Sequence, residues 1–199
     1  MSDDLVVGPD GTSRCGWVTS SEDYVYYHDH EWGRPVHGDA ALYERVVLEG
    51  FQSGLSWLTI LRKRPAFRAA FAGFDPEAVA AFGDRDVARL LADGDIVRHR
   101  RKIEAAITNA RATVRLLERD GCGGLDALVW SHAPTDPGPG PARLVELPAQ
   151  TPQSRALAQA LKAEGFVFVG PTTAYATMQA CGLVNDHLVG CAYREVQLR

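Results

Sequence analysis

The chain has no hydrophobic run long enough to cross a membrane, so a spanning role is not expected. It has no excess of positive charge: 21 Lys and Arg stand against 25 Asp and Glu, a net −4. Composition therefore does not favour a nucleic-acid partner, although binding follows local charge rather than the total. Cysteine is scarce and scattered, four in 199 residues, too few for a disulfide framework. The opening MSDDLVVGPDGTS is acidic and lacks an apolar core, so no secretory leader is expected and a cytoplasmic location is. Strand-like alternation and repeats of fixed period are missing as well. What is left is 46% hydrophobic and 23% charged, a globular composition long enough for a sizeable core.

The few cysteines and histidines fall at two ends. Cys15 and His28 lie near the start, His187 and Cys191 near the finish. The second pair is spaced i, i+4, which on a helix puts both side chains on one face. Two Cys and two His make a complete tetrahedral zinc set. Ligands drawn from opposite ends would make the metal a clasp on a larger fold, unlike a zinc finger. Spacing alone leaves competitors: His30 or His37 for His28, Cys122 and Cys181 for the cysteines, and simple burial of free thiols.

Most of the chain reads as helix. Residues 1–13 look like a loose tail. Asp39 can cap a helix carrying Leu42, Val46 and Val47 and ending near Gly50. Residues 54–72 are apolar and helical, with Pro65 expected to break or kink the helix at Arg64. Asp75-Pro76, Asp84 and Thr151-Pro152 open further helices. The longest covers 98–119, with Ile103, Ile107, Ala110, Val114 and Leu117 at helical spacing. Residues 133–143, APTDPGPGPAR, form a loop. GFVFVG, 165–170, is either a short strand or a tight hairpin between helices, with Gly165 and Gly170 making the turns. A hairpin feeding a helix N-terminus can present N–H groups to a phosphate. The class is all-α.

Two basic clusters stand out: Arg62, Lys63, Arg64 and Arg68, then Arg98, His99, Arg100, Arg101 and Lys102. Each is a solvated helix face or a phosphate contact. Trp17, Tyr24, Tyr26, Tyr27 and Trp32 crowd a segment that also holds His28, Asp29, His30 and Glu31. They make either a packing cluster or a pocket for a flat, cationic ligand. Glu49 interrupts the apolar run 46–51, so it is paired with Arg45 on an exposed face or buried for a purpose.

Cys15-Gly16-Trp17, Tyr27-His28-Asp29-His30-Glu31-Trp32-Gly33 and Leu48-Glu49-Gly50-Phe51-Gln52-Ser53-Gly54-Leu55-Ser56-Trp57 resemble the bacterial DNA-3-methyladenine glycosylase I family. The similarity continues through Ile96–Arg100, Asn109-Ala110-Arg111, Gly165–Gly170 and Met178–His187. It implies a single helix-hairpin-helix glycosylase domain over 14–199, closed by a structural zinc on Cys15, His28, His187 and Cys191. It implies a base pocket of Trp17, Tyr24, Tyr27, Trp32, Glu49 and Trp57, with Glu49, Tyr27 and Trp57 nearest the chemistry. Leu55 becomes either a wedge into the gap left by a flipped base or a residue of the core packing. Gly165, Gly170, Arg98 and Arg100 become DNA contacts. The superfamily places an aspartate after the hairpin, where this chain offers Asn185 or, with a one-residue shift, Asp186. The implied activity is base excision by a monomer, on double-stranded DNA containing 3-methyladenine and with no membrane partner. The range could extend to 3-methylguanine or 7-methylpurines. The rival reading is a zinc-clasped module that binds nucleic acid or a modified base without chemistry.

Overall fold

The structure is a computed structural model that describes residues 4–18, 21–136 and 138–195. Among these residues it is helical with one two-stranded sheet. The helix α1 (Glu22–His30) is capped by Ser21, whose side chain accepts from Tyr24 N. α2 (Asp39–Gln52) is central and packs against α3 (Trp57–Ala70), α6 (Arg100–Asp120), α7 (Gly124–Trp130) and α9 (Pro171–Ala180). A helix enclosed on so many sides is buried round most of its circumference. Leu42, Tyr43 and every residue of 46–51 are buried, so Glu49 has no exposed face to turn to. α4 (Pro76–Ala80) and α5 (Asp84–Ala92) lie on α6, and α8 (Pro152–Ala163) pairs with α9.

Four local expectations change. Asp39 does not cap α2, because Gly38 holds that position. Its carboxylate instead accepts from Gly123 N (2.6 Å) and Asp126 N (2.9 Å), at the start of α7, where the free N–H groups attract negative charge. Pro65 does not end its helix: α3 continues to Ala70. Pro65 is exposed, while Ile60, Leu61, Phe67 and Ala70 hold the helix to the core on both sides of it. Burial there outweighs one lost hydrogen bond. His187 and Cys191 are not on a helix. The chain after α9 runs in turns, and Gly190 (φ 92°) with Cys191 N donating to Leu188 O (2.9 Å) folds the two side chains together.

Nor is the N-terminal segment loose as far as it is described. β1 (Leu5–Val7) pairs antiparallel with β2 (Ser13–Cys15), Leu5 opposite Cys15. Arg14, 6% exposed, anchors this pair through bonds to Asp10 and Asp29. Residues 1–3 lie outside the described residues.

The segment 165–170 joins α8 to α9 without a strand, as a tight hairpin. Gly165 takes the left-handed conformation (φ 90°) that its turn requires. Asn109 on α6 pins the hairpin from below: Nδ2 donates to Val167 O (3.1 Å), and Oδ1 accepts from Val167 N (2.8 Å). Lys102, seven residues earlier on α6, donates from Nζ to Phe51 O (2.9 Å) and Ser53 O (2.6 Å), closing the end of α2. The Pro- and Gly-rich loop is irregular as expected and packs on the C-terminal segment. Arg194 donates to Pro139 O, Asn185 O and His187 O, and Val189 N donates to Pro141 O.

Candidate active site and metal centre

The C-terminal turn carries His187 and Cys191 against Cys15 from β2 and His28 from α1. All four are buried, and their ligand atoms lie within 4.8 Å of one another. His28 Nε2 is 3.1 Å from His187 Nδ1, and Cys191 Sγ is 3.5 Å and 3.4 Å from those nitrogens. Cys15 Sγ is 3.9 Å from His187 Nδ1. Ligands on a tetrahedral zinc stand about 3.3–3.8 Å apart, from metal–nitrogen and metal–sulfur distances near 2.0 and 2.3 Å. The outer nitrogens are held as a metal site needs. His28 Nδ1 meets Asp29 Oδ1 (2.8 Å), and His187 Nε2 meets Trp32 O (3.3 Å). Each inner nitrogen is thereby left with its lone pair toward the centre. The hydrogen bond between the thiols lowers Cys191, helped by His187 and His28, and raises Cys15. The donor set therefore fits a thiophilic divalent cation. The competitors do not join it: His30 is exposed against Tyr26, His37 bonds Asp126, Cys122 is exposed, and buried Cys181 is outside the cluster.

Beside this cluster is a cavity of about 190 Å³. Trp17, Tyr24, Tyr27, Trp32, Glu49 and Trp57 all line it, so the six expected pocket residues come together. Tyr27 and Trp57 stand 5.4 Å apart by ring centroid, and Trp17 packs edge-on to Tyr24 (5.6 Å) and Trp32 (5.1 Å). Glu49 is 5% exposed, and its carboxyl makes no hydrogen bond among the described residues. Arg45, its expected partner, reaches Glu31 instead (3.4 Å) and keeps a buried, unpaired Nη1. Burial pushes the Glu49 carboxyl up to about 8, against the pull of the Arg45 charge. Burial, and then the charge of Glu49, raise Tyr27 well above an ordinary phenol, so its hydroxyl keeps its proton. Trp57 Nε1 is a further buried donor without a partner.

Sequence reasoning missed three lining residues, Gln52, Ala176 and Gln179. The two glutamines carried no signal of their own, but Gln52 stands three residues after Glu49, on the same helix face. A larger cavity, about 730 Å³, lies beside the β1–β2 pair and α1. Its buried charges, Arg14 and Asp29, are already bonded to each other, so it offers less chemistry.

The basic clusters divide. Arg62 pairs with Asp23 (2.8 Å), Arg64 with Glu31 (2.7 Å) and Arg68 with Glu44 (2.9 Å). Lys63 reaches Gly94 O and Asp95 O, and Lys102 is buried. The first cluster is thus engaged by acids from distant parts of the chain. Arg98 and Arg101 are exposed without a pair among the described residues, and Arg100 makes a long contact to Glu104 (3.4 Å). Leu55 is 38% exposed on the loop from α2 to α3, and Phe168 and Val167 are 43% and 41% exposed on the hairpin. Gly170 is the N-cap of α9. Neither Asn185 nor Asp186 lines the aromatic cavity. Asn185 binds Arg194 O and His187 N, while Asp186 accepts from Tyr175 and Gln179.

A hairpin between two helices, set near an aromatic pocket that hides a carboxyl, is the arrangement of a helix-hairpin-helix DNA glycosylase. Residues 17–195 match the family model of methyladenine glycosylase. The DNA-3-methyladenine glycosylase 1 of Escherichia coli is 51% identical over 179 residues, 89% of this chain and 95% of that protein. The DNA-3-methyladenine glycosylase of Haemophilus influenzae is 42% identical, over 90% of this chain and 97% of its own. A crystal structure of 3-methyladenine DNA glycosylase I superposes with a TM-score of 0.86 at 48% identity, covering 90% of this chain and 98% of that one. A variant of such an enzyme in complex with 3-methyladenine superposes at 0.83 with 33% identity, over 89% and 95%. The chain belongs to the methyladenine glycosylase family.

Proposed function

We propose that this enzyme excises 3-methyladenine from alkylated double-stranded DNA, acting as a cytoplasmic monomer with residues 14–199 as its one domain. The observation that carries the reading is Glu49: a buried carboxyl with no protein partner, walled by aromatic rings.

A methyl group on N3 leaves adenine positively charged while it is still joined to the sugar. When the C1′–N9 bond breaks, its electron pair neutralises the base, and water supplies the oxygen that bonds C1′ and gives up one proton to solvent. The leaving group is already good, so binding and positioning can supply most of the acceleration. The base must first leave the stack, which costs less for a damaged base. In the empty pocket Glu49 keeps its proton at neutral pH, since burial holds it near 8. A cationic base reverses that balance. The carboxyl gives its proton up to solvent as the cation enters, accepts from the 6-amino group and sets a negative charge beside the cation. Tyr27 keeps a hydroxyl donor in the pocket, Trp57 offers a face for stacking, and Trp17, Tyr24 and Trp32 exclude water.

Leu55, exposed on the loop from α2 to α3, would be the wedge that fills the stack behind the flipped base. The hairpin bounded by Gly165 and Gly170 offers backbone N–H groups to a phosphate, with Arg98 and Arg100 as cationic partners. Zinc held by Cys15, His28, His187 and Cys191 would join the two ends of the chain and act on stability rather than on the reaction. The test is incubation of the purified protein with methylated duplex DNA and identification of the base released. Free 3-methyladenine is the expected product, and no released base would overturn the reading.

A further inference from the structure

The aromatic pocket contains two amides, and each has its amino end tied down. Gln52 Nε2 donates to Leu55 O (3.2 Å). Gln179 Nε2 donates to Asp186 Oδ2 (2.8 Å), and Tyr175 donates its hydroxyl to the same oxygen. A carboxylate only accepts, so it dictates which end of the Gln179 amide faces it. The other end, Oε1, accepts no hydrogen bond among the described residues, although Gln179 lines the pocket. Tyr175 is 5% exposed, and its phenol is raised by burial and then by Asp186, so it remains a donor and holds the carboxylate in place. Three side chains thus form one line, from Tyr175 through Asp186 to the pocket wall.

We infer that Asp186 is a positioning residue, which keeps the Gln179 carbonyl turned to the base pocket so that the pocket selects adenine over guanine. The inference rests on the glycosylase reading. At position six adenine carries an amino donor, whereas guanine carries a carbonyl acceptor. A wall that offers the Glu49 carboxylate and a fixed amide carbonyl complements the first and leaves the second unpaired. Rejection by an unpaired buried acceptor is stronger than rejection by size alone. A free amide could turn its amino end to guanine and lose that discrimination. Asp186 forbids the turn.

The experiment uses duplex DNA treated with a simple methylating agent, which contains both 3-methyladenine and 3-methylguanine. The ratio of the two bases released is measured for wild type, Asp186→Asn, Gln179→Met and the double variant. Asparagine has the same shape but can donate as well as accept, so the Gln179 amide regains both orientations. The ratio should fall at least about fivefold in either single variant and no further in the double variant, because one interaction is being removed. Gln179→Met leaves the clasp segment intact, so it tests the carbonyl even if Asp186→Asn folds poorly. A ratio unchanged in Gln179→Met or in folded Asp186→Asn, or a double variant that loses discrimination additively, overturns the inference. Wild-type protein that releases neither base overturns the glycosylase reading instead.

Discussion

Replacing Glu49 by glutamine should trade activity for stability, by an amount that grows with pH. The carboxyl is buried without a hydrogen-bonding partner, and its folded value near 8 lies well above the usual 4.5. Between those values the unfolded chain has lost the proton and the folded protein has kept it. The folded state then binds more protons, so stability falls as pH rises through this window. At roughly 1.4 kcal/mol per pH unit, the cost at pH 7 is about 3 kcal/mol against a side chain that never ionises. Glutamine escapes that cost, although its unpaired amide adds a constant penalty of about 1–3 kcal/mol. Urea denaturation of both proteins at pH 5, 6, 7 and 8 should show the gap shifting toward the variant by about 3 kcal/mol. Single-turnover release of 3-methyladenine should meanwhile fall by about one to two orders of magnitude, from one lost charged hydrogen bond. Parallel stability curves would show that Glu49 is not held protonated in the fold. Undiminished release would show that it does not meet the base.

Metal analysis of protein purified without chelator should find about one zinc per chain, and Cys191→Ala should lower the melting temperature; unchanged melting would refute the clasp. Reversal of both Arg98 and Arg100 to glutamate should reduce the slope of log affinity against log salt by about one unit for each phosphate no longer neutralised. An unaltered slope would move the phosphate-binding surface elsewhere. Lys102→Met should destabilise the fold by about 1.5–3 kcal/mol, through two charged hydrogen bonds at the end of α2, as read by urea denaturation.

Periodicity and capping chemistry made much of the helical framework legible. Thr151-Pro152 and Asp75-Pro76 begin helices where their side chains can cap them. The pocket was legible only through family resemblance, because aromatic crowding reads equally well as packing. α1 was hidden by its polar and aromatic residues, which face a pocket and a metal cluster rather than a plain apolar core. His187 and Cys191 were the right pair for the wrong reason. Their convergence comes from a turn at Gly190, and i, i+4 spacing does not distinguish a turn from a helix. The acids that engage the basic run at 62–68, Asp23, Glu31 and Glu44, lie far away in sequence. Local charge counts cannot see such pairing.

Lys102 and Asn109 give α6 a further consequence. One fixes the loop that carries Leu55, the other fixes the hairpin, and both belong to one uninterrupted helix. Seven residues of helix span about 10 Å, close to three base steps along a strand. On the proposed binding mode, the distance from phosphate grip to inserted side chain is therefore a gauge cut into rigid backbone. Neither loop can set it alone. A one-residue insertion in α6 between Lys102 and Asn109 would turn the two anchors about 100° out of line, leaving each loop intact and the tool miscalibrated.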